Sequence, residues 1–139
     1  MKYTLSVIII LLFSPMMAIF ANNNLTQAVS IVPCPVQIVP GEGHFCFSEK
    51  TVFTVGNEEQ AKIAEDFISL FSRAAGFTPV LKIGGEGNIR FLTENKLPEE
   101  AYRLVITPEV IEIKASGTKG LFYGLQTLRM LLPASIEGN

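Results

Sequence analysis

The residues able to do chemistry in this 139-residue chain are few: one histidine and two cysteines. His44 stands at no metal-ligand spacing from Cys34 and Cys46, and the chain contains neither Cys-x-x-Cys nor His-Glu-x-x-His, so no metal site is expected. An imidazole without a partner acid, base or nucleophile performs little, and His44 reads as an exposed strand residue. Glu58-Glu59 and Glu99-Glu100 are adjacent in sequence, so they read as solvated or helix-start carboxylates rather than as an acid/base pair flanking one bond. Gly84, Gly85 and Gly87 superficially suggest a phosphate cradle. A strand rather than a helix follows them, with no Lys-Ser/Thr, so they make a plain turn. With no Gly-x-Ser-x-Gly either, the sequence offers no catalytic, cofactor-binding or metal residue, and no cofactor is expected.

Composition narrows the class. A hydrophobic content of 48% with 17% charged residues is that of a globular domain, and a formal charge of −2 gives no electrostatic reason to expect nucleic acid. A (β/α)8 barrel needs at least about 200 residues and cannot fit.

The first residues carry an address rather than a fold. Lys2 precedes an apolar run from Leu5 to Phe13, Ser14-Pro15 breaks it, and Ala18-Ile19-Phe20-Ala21 follows. This is the form of a secretory signal peptide, cut after Ala21, which implies export to a periplasmic or extracellular space. The apolar core is roughly half of what spans a bilayer, so no membrane span is expected. The expected organisation is a signal peptide over 1–21, an irregular segment over 22–30 and one domain over 31–133, followed by a linker over 134–139.

Seven strand signals and two helix signals fill that domain. Val36–Val39, His44–Phe47 and Thr51–Val55 are rich in β-branched and aromatic residues, as are Val80–Ile83, Asn88–Leu92, Tyr102–Ile106 and Val110–Ala115. Asn57–Ala75 reads as a helix: Asn57 caps it, Gln60 stands where a capping-box partner belongs, and Gly76 ends it. Ala64, Phe67, Ile68, Phe71 and Ala75, widened by Ile63 and Leu70, make its apolar stripe. Thr118–Leu132 is the second helix, with Leu121, Gly124, Leu125, Leu128, Leu131 and Leu132 facing the core. Gly120 and Gly124, one turn apart inside it, predict close approach of a neighbouring backbone. The order implies an α+β domain, a mainly antiparallel sheet with two helices packed on it.

A hairpin joining Val36–Val39 to His44–Phe47 through Pro40-Gly41-Glu42-Gly43 would put Cys46 opposite Gln37. Cys34 would then lie three residues further on, roughly 10 Å away at about 3.3 Å per residue and out of disulfide range.

The last helix carries a second feature. Phe122, Tyr123 and Met130 lie among Gln126 and Arg129 on the face that should meet solvent, a stripe with no partner in the chain. The run from Gly117 to Pro133, Gly-Thr-Lys-Gly-Leu-Phe-Tyr-Gly-Leu-Gln-Thr-Leu-Arg-Met-Leu-Leu-Pro, closely resembles the helix that ends the small N-terminal domain of glycoside hydrolase family 20 β-N-acetylhexosaminidases. Val32-Pro33-Cys34-Pro35 with Gly43 and Phe45, Glu100-Ala101-Tyr102-Arg103-Leu104 and Ile111-Glu112-Ile113-Lys114-Ala115 match in order, covering about Ile31 to Pro133. Met130 departs from the family's usual Gln.

The resemblance implies a zincin-like, non-catalytic α+β domain standing before a (β/α)8 barrel. That barrel supplies an Asp-Glu pair for substrate-assisted hydrolysis, in which the 2-acetamido group of the sugar attacks its own anomeric carbon. No catalytic residue carries over, so the chain alone is expected to be inactive. Phe122, Tyr123, Gln126 and Met130, with Arg129 at the rim, become candidates for docking the barrel, and N-acetylhexosamine glycans would be met only through it. The same domain before an O-GlcNAc-hydrolysing or α-glucuronidase barrel, or a stand-alone secreted glycan-binding or adaptor module, are the competing readings.

Overall fold

A computed structural model describes residues 31–32 and 34–133; the signal segment over 1–21, the stretch over 22–30 and the linker over 134–139 lie outside the described residues. The elements are β1 (Val52–Val55), α1 (Glu58–Ala74), β2 (Val80–Ile83), β3 (Ile89–Thr93), β4 (Tyr102–Ile106), β5 (Ile111–Ala115) and α2 (Thr118–Met130). Five strands form one sheet in the order β2-β1-β3-β5-β4, and both helices pack on the same face over a single core.

The α+β class holds, and the strand directions correct the expectation of a mainly antiparallel sheet. β1 pairs parallel with β2 and with β3, and β3 pairs parallel with β5. Only β4 and β5 form an antiparallel hairpin, with Leu104 opposite Ile113. The physical reason is connectivity: α1 carries the chain back from the end of β1 to the start of β2, and a helical crossover returns a strand parallel to the first.

The second departure is at Gly84–Gly87, read from sequence as a plain turn. Gly84 and Gly85 do turn the chain, at φ of 74° and 81°, values that suit a residue without Cβ. The chain then crosses β1 to reach its other side, on the face away from the helices. Gly87 lies so close to β1 that a Cβ there would stand 2.6 Å from the Val52 carbonyl oxygen and 2.7 Å from Thr54 Cγ2. The crossing is held by Arg90 Nε donating to the Gly87 carbonyl at 2.8 Å and by the Val52 amide donating to Asn88 Oδ1 at 3.1 Å.

α1 forms as its ends dictate. Asn57 Oδ1 accepts from the Gln60 amide at 3.0 Å, while Gln60 Oε1 reaches back to the Gly56 amide at 2.7 Å, one residue before the usual capping-box donor. Gly76 takes the left-handed conformation at φ 72°. Ala64, Phe67, Ile68, Leu70 and Phe71 are buried, but Ala75 is exposed. Phe53, Val55, Ile89, Phe91, Ile111, Ile113 and Ala115 supply the sheet side of the core.

No strand forms over Val36–Val39 or His44–Phe47. The alternation expected of the second is nevertheless present: Phe45 and Phe47 turn toward the core while His44 and Cys46 are exposed. Phe47 stacks on Phe71 with ring centroids 4.6 Å apart. Upstream, Gly43 at φ 82° presses on Pro108 in the β4–β5 turn, and Val32, Val36, Ile38 and Val39 are exposed.

Candidate functional site

α2 positions every residue proposed for a site, and its inner face explains why the outer one is presented as it is. Gly120 packs against the Ala101 carbonyl and the Ala115 methyl, and a Cβ at Gly124 would stand 2.5 Å from Ile113 Cγ2. Gly120 meets a neighbouring backbone as predicted, that of Ala101 entering β4, whereas what crowds Gly124 is side chains, Ile113 of β5 and Tyr102 of β4. Leu121, Leu125 and Leu128 are fully enclosed, and Thr127 is buried with Oγ1 2.5 Å from the Tyr102 hydroxyl. The helix ends at Met130, so Leu131, expected on the core arc, is exposed instead, while Leu132 stays against the core.

With the glycine contacts matching one helical turn to two residues of β5 (Gly120 to Ala115, Gly124 to Ile113), α2 runs back along β5. Its end at Leu131–Leu132 therefore lies level with the β4–β5 turn, where Gly43 rests on Pro108. The segment leading into the domain and the helix leading out of it share one pole of the sheet.

On the opposite face of α2, Phe122, Tyr123 and Met130 are 46%, 44% and 42% exposed. The rings of Phe122 and Tyr123 meet edge to face with centroids 5.8 Å apart. Gln126 and Arg129 are half-buried and line, with Phe122 and Leu125, a groove of about 360 Å³ between the helices; Lys62, Ile63, Asp66, Phe67 and Leu70 of α1 form its other wall. The structure thus brings four of the five residues picked out from sequence onto one continuous surface around Phe122, Gln126 and Arg129, with Tyr123 beside Phe122, and leaves Met130 at the helix end. Ile63, Phe67 and Leu70 of the α1 wall were read from sequence only as its apolar stripe, and Lys62 and Asp66 were not picked out. Lys62 and Asp66, one turn apart on the flank of that stripe, follow the helical period, which is the signal that could have found them.

The remaining candidates for chemistry are dispersed. His44 is exposed, as are Glu58, Glu59, Glu99 and Glu100. Glu99 accepts an ion pair from Lys119 at 3.0 Å. That hydrogen bond, with the charge of Glu99, raises the Lys119 ammonium above the ordinary lysine value. A raised pKa makes the pair's contribution present through neutral pH and lost only as pH climbs past the lysine range, and at this exposure it is slight. Among the described residues no three His, Cys, Asp or Glu side chains gather where they could hold a metal ion, and no helix is long and apolar enough to cross a membrane.

Comparison with known proteins identifies the family and fold. Residues 28–138 match the family profile "Glycosyl hydrolase family 20, domain 2". The chain is 31% identical over 118 residues to a β-hexosaminidase of Porphyromonas gingivalis, a match covering 81% of this chain and 15% of that protein. Among solved structures, the N-acetyl-β-hexosaminidase of Streptomyces plicatus superposes with a TM-score of 0.72 at 31% identity, over 77% of this chain and 22% of that one. The GH20 β-N-acetylhexosaminidase of Streptomyces coelicolor A3(2) does so with 0.70 at 34% identity, over the same shares. The chain therefore spans less than a quarter of the length of these relatives. Its profile match, its sequence identity and its superposition agree: the chain belongs to glycosyl hydrolase family 20, as domain 2.

Proposed function

We propose that this domain is the non-catalytic front of an exported β-N-acetylhexosaminidase and that the outer face of α2 docks the enzyme's (β/α)8 barrel, which hydrolyses terminal N-acetylhexosamine residues. The observation that carries this reading is the pairing of two faces on one helix. The inner face is packed so closely that only glycine fits at two positions, while the outer face holds Phe122, Tyr123 and Met130 open to solvent. An exposed apolar patch rimmed by polar groups is the mark of an interface, and Gln126, Arg129, Lys62 and Asp66 supply the rim. The relatives' extra length supports a barrel as the occupant, since most of each hexosaminidase lies outside the part this chain matches. The form of residues 1–21 supports export to a periplasmic or extracellular space.

In this role the domain binds no glycan itself; it holds the barrel and is held by it. The test is a graft of residues 28–138 into the Porphyromonas gingivalis enzyme in place of the matching segment. Melting and cleavage of a chromogenic N-acetyl-β-glucosaminide are then measured with and without Phe122→Asp and Met130→Asp. The unmodified graft is expected to be active. The double variant is expected to melt lower and lose activity, with a docking loss of about 2 kcal/mol or more if the two side chains anchor the interface. A double variant with the melting and activity of the unmodified graft would refute the docking.

A further inference from the structure

We propose that the arm over residues 36–44 is a second docking element, laid against the barrel that follows this domain and not against the domain itself. The inference rests on the reading that such a barrel follows, and it adds a contact that α2 does not supply.

The nine residues 36–44 are all exposed, between half-buried Pro35 and Phe45. Val36, Ile38 and Val39 lie in that run at 107%, 49% and 77% exposure, so Val36 is as open as in an unfolded chain. Branched apolar side chains gathered this openly mark a surface that meets something other than water. The family profile begins at residue 28, ahead of the arm, which makes the arm a piece of the domain and not a leader to it. Its apolar side chains cover nothing in that domain, so their cover comes from outside.

The arm is prepared for such a contact. Gly43, left-handed at φ 82°, lies against Pro108. Phe45 and Phe47 meet edge to face with centroids 5.1 Å apart and turn toward the core. The arm thus leaves the domain from a fixed root. Pro40 keeps Val39 out of the helical region, and the branched side chains of Val36, Ile38 and Val39 are stiff at χ1. Little freedom remains to be lost when the arm is ordered on a partner.

The place where the chain leaves the domain selects the barrel as occupant. α2 ends at the pole of the sheet where Gly43 meets Pro108, and Met130 and Leu131 stand exposed at that end. Polypeptide that follows Pro133 therefore starts at the pole from which the arm projects. In the Streptomyces plicatus and Streptomyces coelicolor A3(2) hexosaminidases most of the chain lies outside the matched part. A tethered neighbour meets the arm at an effective concentration in the millimolar range, however dilute the enzyme, an advantage that no free partner has.

The experiment compares the full chain alone with the graft of residues 28–138 in the Porphyromonas gingivalis enzyme. Each is given a brief pulse of elastase and its cleavage sites are mapped by mass; each is also melted with and without Val36→Asp and Val39→Asp. Alone, the chain is expected to be cut within 36–44, and its double variant to melt with the wild type, because both side chains stand open. In the graft, cutting within 36–44 is expected to slow by about tenfold or more, the least that burying two valines should give, and the double variant to melt lower. An arm cut as fast in the graft as in the chain alone would overturn the proposal, and so would a graft whose melting ignores the two substitutions. Protection of the arm in the chain alone would overturn it as well, through folding back onto its own domain if independent of concentration and through pairing of two copies if it grows with concentration. A graft that protects its arm but ignores Phe122→Asp and Met130→Asp fails the α2 docking alone, and one that responds to those two but leaves the arm open fails the arm alone.

Discussion

The Tyr102 hydroxyl and Thr127 Oγ1 lie 2.5 Å apart, joining the first residue of edge strand β4 to the inner face of α2. Thr127 is buried, and this bond is what satisfies its hydroxyl there. Removing the tyrosine hydroxyl leaves the threonine without that partner in an apolar layer, whereas removing both hydroxyls leaves nothing unsatisfied. Tyr102→Phe is therefore expected to lower stability by about 1–2 kcal/mol. Adding Thr127→Val should recover part of that loss, so that the double variant unfolds in less denaturant than wild type but more than Tyr102→Phe. A double variant no more stable than Tyr102→Phe would mean the bond contributes little.

Helix propensity alone says that Gly124→Ala should stabilise α2 by about 1 kcal/mol. The packing says the opposite, because the new methyl would land 2.5 Å from Ile113 Cγ2 and 3.2 Å from the Tyr102 ring. Overpacking of this kind costs about 1–3 kcal/mol. Gly120→Ala should be worse, since part of its obstruction is the backbone carbonyl of Ala101, which cannot rotate away. Chemical denaturation of the two variants should rank them wild type, Gly124→Ala, Gly120→Ala in falling stability.

Phe47 lies outside every strand yet stacks on Phe71. Its truncation tests whether residues 45–47 belong to the folded unit. Phe71 is fully enclosed, and Phe71→Ala should cost about 3–5 kcal/mol. Phe47, half-buried, should cost less, about 1–2 kcal/mol, and the Phe47→Ala protein should lose protease protection first around residues 43–47. A neutral Phe47→Ala would detach this segment from the core.

Local rules made the helices legible and left the sheet's directions hidden. Asn57 and Gln60 announce the start of α1, and the spacing of Ala64, Phe67, Ile68 and Phe71 announces its buried face; each signal lies within a few residues and meets its structural counterpart. The directions of β2 and β3 are decided elsewhere. Gly84–Gly87 has the composition of a hairpin turn, and only Gly87's fit beneath Val52 and Thr54 shows that it is a crossing. Val36–Val39 has the composition of a strand, but β propensity describes fit to a half-buried pleated surface, and no neighbouring strand offers one. The outer residues of α2 stood out because they broke the expected polarity of a surface helix, whereas Lys62 and Asp66 obeyed it and drew no attention.

Arrival and departure at a single pole give the domain the layout of a plug. Gly43 against Pro108 and Leu132 against the core put both attachment points at the end of the sheet where the parallel strands begin. The turns at Gly56-Asn57, Gly84-Gly85 and Ser116-Gly117 all lie at the other end, carrying neither connection. Change can accumulate there without disturbing how the domain is wired to what surrounds it. Gly84 and Gly85, with open space where side chains would stand, mark the place where added sequence is best tolerated.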